Sequence, residues 1–217
     1  MATQTEENYL KAMFAIVSEQ GEANLSELSK RLEVSTPTAN SMVKKLHQQG
    51  LVEYEKYKPI SLTAKGKRQA ALIIRKHRLT EMFLVEKMGF GWDEVHEIAE
   101  QMEHIQSPSF FERMDELMGY PSTDPHGSPI PDKNGKIVLN NYRKLSECAA
   151  GETVRLSALT LSSVDFLRFL DSRALRLGTE INILSKEDFD GSMVVRYGAG
   201  RSESLSHTVS ERLLVVG

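Results

Sequence analysis

The sequence predicts a mainly α-helical chain with a small β domain: an N-terminal winged helix-turn-helix, a helical middle and a C-terminal small β-barrel. Three observations carry this reading. Residues 6–49 hold three helical stretches, with a short turn before the third and two short strands after it. Residues 63–118 keep helical apolar spacing, broken by Gly89-Phe90-Gly91 and again before Ser107-Pro108. From Leu145 the pattern changes to short apolar runs punctuated by Gly178, Gly191, Gly198 and Gly200.

Residues 6–20 form the first helix, because Tyr9, Leu10, Met13, Phe14, Ile16 and Val17 make one apolar stripe and Gly21 ends it. Asn24 or Ser26 can cap a short second helix, Leu25–Leu32. A turn over Glu33–Thr38 follows. Pro37 lies near the first turn of the third helix, where its missing N–H costs little. That helix runs to about Gln49 and stops at Gly50. Leu51–Tyr54 and Ile60–Thr63 read as strands around a wing, Glu55-Lys56-Tyr57-Lys58-Pro59. In a winged helix the second helix of the pair enters the major groove with its N-terminal residues toward base edges. Here those residues are Ser35, Thr36, Pro37, Thr38, Asn40 and Ser41. Lys44, Lys45, Lys56 and Lys58 are placed to meet phosphates, which give affinity without sequence information. A winged helix used for protein contacts is the competing reading, and the lysines weigh against it. Charge distribution points the same way. Residues 1–78 carry 13 Lys/Arg against 8 Asp/Glu, and residues 79–217 carry 14 against 22.

Thr63 to about Met88 reads as one long helix that carries His77 and Glu81, four apart. A helix from Trp92 to about His104 follows. On it His96, Glu100, Glu103 and His104 fall within roughly a 100° arc, away from Val95, Ile98, Ala99, Met102 and Ile105. Imidazoles and carboxylates offered from two helices form a donor set for a divalent transition metal. A solvated polar face is the competing reading, and two histidine-containing clusters weigh against it. Ser107-Pro108-Ser109 starts a further helix with Phe110, Phe111, Met114, Leu117 and Met118. The apolar surface of this three-helix unit, attached to a winged helix, predicts a dimer interface, which would set two reading helices one DNA turn apart.

Residues 119–136, rich in Pro, Gly, Ser and Asp, read as a linker that offers Asp124 and His126 as further ligands. Thr153–Leu156, Glu180–Leu184, Ser192–Tyr197 and Leu213–Val216 read as strands, with one short helix from Ser163 to Leu170. The expected division is 1–63, 64–136 and 145–217. At 217 residues and 40% hydrophobic, the chain can bury a core in each part. No apolar run reaches the roughly 18 residues of a membrane span. The N-terminus is polar and acidic rather than a signal peptide, and Cys148 is the single cysteine, so no internal disulfide can form. A cytoplasmic protein is the reading these give.

Several motifs together resemble the diphtheria toxin repressor and manganese transport regulator family of metal-dependent repressors. They are Glu7-x-Tyr9-Leu10, Ser35-x-Pro37-Thr38, Leu62-Thr63-x-x-Gly66, Arg75-Lys76-His77-Arg78-Leu79-x-Glu81, Val95-His96-x3-Glu100-x2-Glu103-His104 and Gly127-x-Pro129-Ile130-Pro131. The likeness covers nearly the whole chain, and the rear barrel is similar to the SH3-like domain of longer members. The resemblance implies a homodimer with a metal-binding and dimerisation domain behind the winged helix, acting on a palindromic double-stranded DNA operator. It implies a primary metal site of Asn8, Glu100, Glu103 and His104, and a second site around His77, Glu81 and His96. From longer members it adds Asp124, His126 and Asp165 to the second site. It further implies repression of metal-uptake genes when metal is plentiful.

Two positions depart from the family pattern. Asn8 stands where relatives carry Met or Asp, and Lys11 stands where short manganese regulators are acidic, which disfavours a paired-metal arrangement. Glu100 stands where iron-responding members carry Cys. Oxygen ligands suit Mn(II), with Fe(II) as the alternative. Two other functions compete. One is a winged-helix regulator that senses a small organic molecule. The other is a metalloenzyme, since His96-Glu97-Ile98-Ala99-Glu100 superficially resembles H-E-x-x-H. Glu replaces the second His, so the expectation is a regulator and not an enzyme.

Overall fold

The computed structural model describes residues 3–56 and 58–217; Tyr57 of the expected wing and Met1-Ala2 of the polar N-terminus lie outside the described residues. The chain divides into two compact units. The first holds residues to Thr80 together with Ile98–Ser122 and Ile130–Val138; the second holds Glu81–Glu97, Thr123–Pro129 and Leu139–Gly217.

The first unit starts with α1 (Gln4–Gln20), α2 (Leu25–Arg31) and α3 (Thr36–Gln48). Each start is fixed by a side-chain cap. Thr3 and Glu6 form a reciprocal capping box on α1, Asn24 accepts from the Glu27 N–H on α2, and Ser35 accepts from the Thr38 N–H on α3. Gly21 ends α1 at φ +85°, a left-handed conformation that favours glycine. Strands β1 (Val52–Glu53) and β2 (Ser61–Leu62) pair antiparallel as the stem of the wing. A bridge between Ala23 and Ile60 ties that stem to the loop before α2. Leu10, Met13, Ile16, Leu28, Leu46 and Ile60 fill the core between these elements. Helix α4 (Ala64–Met88) leaves the wing at Gly66, where a Cβ would stand 1.9 Å from the Leu51 carbonyl oxygen. Later in the chain come the end of α5 (Val95–Met102) and α6 (Pro108–Leu117). Arg75 of α4 joins Asp115 of α6 and donates to the Pro131 carbonyl at 2.7 Å.

The second unit is built on a six-stranded antiparallel sheet of order β3-β8-β4-β5-β6-β7. Its strands are β3 (Arg143–Lys144), β4 (Thr153–Leu159), β5 (Glu180–Lys186), β6 (Met193–Tyr197), β7 (Arg201–Leu205) and β8 (Leu213–Val216). Inward positions alternate along β4, with Val154, Leu156 and Ala158 buried. Bulges between Leu156 and Ala158 and between Ile183 and Ser185 bend the sheet. Helix α7 (Val164–Ser172) covers it with Phe166, Leu167 and Leu170, and a short α8 (His207–Ser210) precedes the last strand.

The α-plus-small-β class is therefore as the sequence predicts, with local differences. Helix α5 begins at Val95 because Trp92–Glu94 form a turn, and it ends at Met102, so Glu103 and His104 sit just past it. Strands β3 and β7 and helix α8 were not expected. Residues 123–129, expected as linker, fold into a tight turn: Thr123 bridges Pro129, and the Asp124 N–H donates to the Ser128 carbonyl at 2.9 Å. Among the described residues, no helix is long and apolar enough to cross a membrane.

Candidate metal centres and nucleic-acid interface

The outward face of α3 carries the residues expected at a DNA groove. Thr36, Pro37, Thr38, Ser41, Lys44 and Lys45 are exposed, as is the capping Ser35. Ser35 Oγ lies 2.8 Å from Thr38 Oγ1, and Ser41 Oγ donates to the Pro37 carbonyl at 3.0 Å, so three of the hydroxyls are held by bonds to the start of the helix. Asn40 is half-buried and accepts from the Tyr54 hydroxyl at 2.7 Å. A cavity of about 660 Å³ opens beside it, lined by Thr36, Pro37, Tyr54, Lys56 and Lys58 among others. The lysines are not equivalent. Lys44 is exposed, whereas Lys45 pairs with Glu6 at 3.1 Å and Lys58 pairs with Glu55 at 2.7 Å. Glu6 accepts from the Thr3 N–H and the Gln49 amide as well as from Lys45. These bonds outweigh burial and pull its carboxyl from the ordinary 4.5 down to about 2.

A first cluster of carboxylates and imidazoles lies in the first unit, where α1 meets the end of α5. Glu103 is buried, and its Oε2 accepts from Lys11 Nζ at 2.7 Å and from His77 Nδ1 at 2.7 Å. Burial alone would raise the Glu103 carboxyl; the hydrogen bond from His77 and the charge of Lys11 outweigh it and hold it below its ordinary value. Lys11 Nζ also stands 3.6 Å from Glu100 Oε1, so two carboxylates share one ammonium. His104 Nδ1 donates to Glu7 Oε2 at 2.6 Å, and Glu7 Oε1 takes a second bond from Gln106 at 3.0 Å. With Nδ1 given to the Glu7 carboxylate, the His104 ring turns Nε2 toward Glu103 Oε1, 3.7 Å away. Asn8 is half-buried; the carboxylate that meets His104 belongs to its sequence neighbour Glu7.

A second cluster lies in the second unit. Glu81, Asp124 and His126 are all buried, and each offers a ligand atom within 4.8 Å of the others. His126 Nδ1 is 3.9 Å from Glu81 Oε2 and 4.0 Å from Asp124 Oδ1. Those gaps exceed a hydrogen bond and stay within the roughly 4.2 Å that two donors, each about 2.1 Å from one shared cation, can span. His96 is exposed and brings Nδ1 to 3.2 Å from Glu81 Oε1. Asp124 is fixed by accepting from the His126 N–H at 2.8 Å and the Ser128 N–H at 2.9 Å. Gly127, at φ +84°, lets this turn press on β4: a Cβ there would stand 2.3 Å from the Ser157 carbonyl oxygen. The His126 carbonyl thereby accepts from the Leu159 N–H at 3.0 Å. Buried carboxylates around an imidazole, with no thiolate, form a donor set that fits a hard or borderline divalent ion.

Comparison with known proteins gives three successive matches. Residues 1–60 match "Iron dependent repressor, N-terminal DNA binding domain", residues 63–132 match "Iron dependent repressor, metal binding and dimerisation domain", and residues 143–216 match "FeoA domain". The diphtheria toxin repressor of Corynebacterium jeikeium is 30% identical over 234 aligned positions, covering 94% of this chain and 95% of that protein. The chain belongs to the iron-dependent repressor family. The iron-dependent repressor IdeR of Mycobacterium tuberculosis is 34% identical over 160 residues, 69% of this chain and 68% of that one. A solved structure of a manganese-dependent transcriptional repressor in complex with manganese superposes with a TM-score of 0.86 at 32% identity, covering 97% of this chain and 99% of that one. As a member of the iron-dependent repressor family, this protein is a metal-dependent, DNA-binding transcriptional repressor with a dimerisation domain, and it is not an enzyme.

Within this member of the family, the expected ligands divide as follows. Glu103, His104, Glu100 and His77 gather around Lys11 and Glu7 in the first unit. Glu81, His96, Asp124 and His126 gather in the second, and His77 lies one helical turn before Glu81 on α4. Asp165 is exposed on the first turn of α7 and is not among the convergent ligand atoms found for the described residues. Sequence reasoning missed Glu7, the residue that orients His104, and missed the contact of Lys11 with Glu103. These pairs are 97 and 92 residues apart in the chain, and no local pattern encodes them.

Proposed function

We propose that this repressor is switched by Mn(II), with Fe(II) as the alternative, through two sites per subunit. The first uses Glu100, Glu103 and His104 with Asn8. The second uses Glu81, His96, Asp124 and His126, with His77 one helical turn before Glu81 on α4. The observation that carries this is the buried Glu81–Asp124–His126 group with its cation-sized gaps. Its donors are oxygen and imidazole nitrogen, and the single cysteine, Cys148, is buried in the core of the β domain. A divalent ion supplies positive charge that neutralises these carboxylates. The protein's part is to hold the donors: Glu7 orients His104, and α1 joins that cluster to the reading head through Glu6, Gln49 and Lys45.

On this reading the N-terminal turn of α3 (Ser35, Thr36, Pro37, Thr38, Asn40 and Ser41) faces base edges, and Lys44, Lys45, Lys56 and Lys58 serve the phosphates. The functional division is 1–63, 64–136 and 145–217. The dimer binds a two-fold operator ahead of metal-uptake genes, and the protein works in the cytoplasm. The test is isothermal titration of metal-stripped protein with Mn(II) and, anaerobically, Fe(II), together with DNA retardation reversed by chelator. Two Mn(II) per subunit, and retardation lost on chelation, are expected. DNA binding indifferent to both metal and chelator would overturn the proposal.

A further inference from the structure

We infer that Trp92 is a positioning residue that ties helix α7 of the β domain to the metal-binding state of His126. The inference rests on the metal reading of Glu81, Asp124 and His126. It concerns residues that donate no ligand.

The Trp92 carbonyl oxygen lies 2.9 Å from His126 Nε2. A carbonyl only accepts, so Nε2 carries the ring proton. Nδ1 is then the ring nitrogen left for Glu81 and Asp124 to share with an ion. The Trp92 indole also stacks on the same imidazole, with centroids 6.0 Å apart and planes 19° apart, which fixes the ring's orientation. One residue thus sets both the tautomer and the plane of a ligand.

Trp92 is itself held from the β domain. Its Nε1–H donates to Asp171 Oδ2 at 2.9 Å, and its ring packs against the core of that domain. Asp171 is in turn fixed by Arg176, 3.3 Å from its other oxygen. The next residue, Asp93, pairs with Arg168 at 2.9 Å, one turn earlier on α7. Two consecutive side chains therefore fasten the Trp92–Glu94 turn to one face of α7. That turn is locked locally, since the Gly91 N–H donates to Glu94 Oε2 at 2.8 Å. By linkage, whatever fixes α7 favours the ion at His126, and the ion at His126 fixes α7.

Trp92 is the only tryptophan in the chain, so its emission reports this contact alone. The experiment uses full-length, metal-stripped protein titrated with MnCl₂ and followed by calorimetry and tryptophan emission. In the wild type, emission should change with the midpoint of one calorimetric site, and His126→Ala should remove both. Asp171→Ala touches no ligand; it should weaken that site about tenfold or more, the usual effect of losing an outer-shell partner, and shift the emission. Asp171→Asn keeps an acceptor oxygen and should restore most of the affinity. Trp92→Phe keeps the stack and the carbonyl but loses the N–H, so it should match Asp171→Ala by calorimetry. The double variant should be no weaker than either single one. Wild-type Mn(II) affinity in both Asp171→Ala and Trp92→Phe would overturn the role of Trp92. Mn(II) binding unchanged by His126→Ala would instead overturn the site itself.

Discussion

Lys11 gives the first cluster a cation of its own, because its ammonium stands on Glu103 and near Glu100. A divalent ion arriving at those carboxylates must compete with it. Lys11→Gln should therefore tighten Mn(II) binding at this cluster by about tenfold or more, since one like charge a few ångström away costs more than about 1.4 kcal/mol at an effective dielectric near 20. The same change strips buried Glu103 of a partner and should cost the metal-free protein about 1–3 kcal/mol. Calorimetry and thermal melts of the stripped protein measure the two effects. Unchanged Mn(II) affinity would move the first site elsewhere. Glu6 makes a pH prediction. Its carboxyl is lowered from 4.5 to about 2, so its contribution is complete above pH 4.5 and is lost as pH falls toward 2. Glu6→Gln should flatten the acid limb of the stability curve in that window and leave the neutral limb no steeper. Urea melts across pH check it.

At the level of elements, the turn over residues 123–129 depends on Gly127. Any side chain there meets the backbone of β4 and must also adopt φ +84°. Gly127→Ala should cost about 2 kcal/mol or more and move His126 off its ligand position. Loss of one Mn(II) site with a lowered melting temperature is expected; a variant with full stability and two sites would refute it. The same turn marks how far the sequence was legible. Helices α1 to α4 and α6 could be read from apolar spacing and caps, and strands β4, β5, β6 and β8 from runs of Val, Ile and Leu. Strand β7, Arg-Ser-Glu-Ser-Leu, was not, because it is an edge strand with only Leu205 buried and so carries no alternation. Strand β3 is two residues long and carries no pattern at all. In the site, His77, Glu81, His96, Glu103 and His104 stood out by residue type and spacing. Glu7, Trp92 and Asp171 did not, since their roles come from contacts made far along the chain.

Over the whole molecule, the proposed DNA face of the winged helix carries lysines of unequal freedom. Lys44 is exposed, and Lys45 is paired with Glu6. Lys44→Ala should weaken binding to every sequence alike and lower the salt slope by about one per protomer, whereas Lys45→Ala should change the slope less. Retardation at several salt concentrations on operator and random DNA distinguishes them. A Lys44 variant with altered base preference and an intact slope would contradict the phosphate assignment. The strand order of the β domain bears on how the protein is made. Strand β8, the last of its strands to be synthesised, lies between β3 and β4 in the sheet. Until residues 213–216 leave the ribosome, β4 has no neighbour on that side, and β3 has none at all. The reading head, whose apolar core is drawn from residues between Tyr9 and Ile73, can fold while synthesis continues. The sheet cannot close until translation has passed its final strand, so a newly made chain acquires its DNA-reading head before it acquires the α7-bearing domain that holds Trp92.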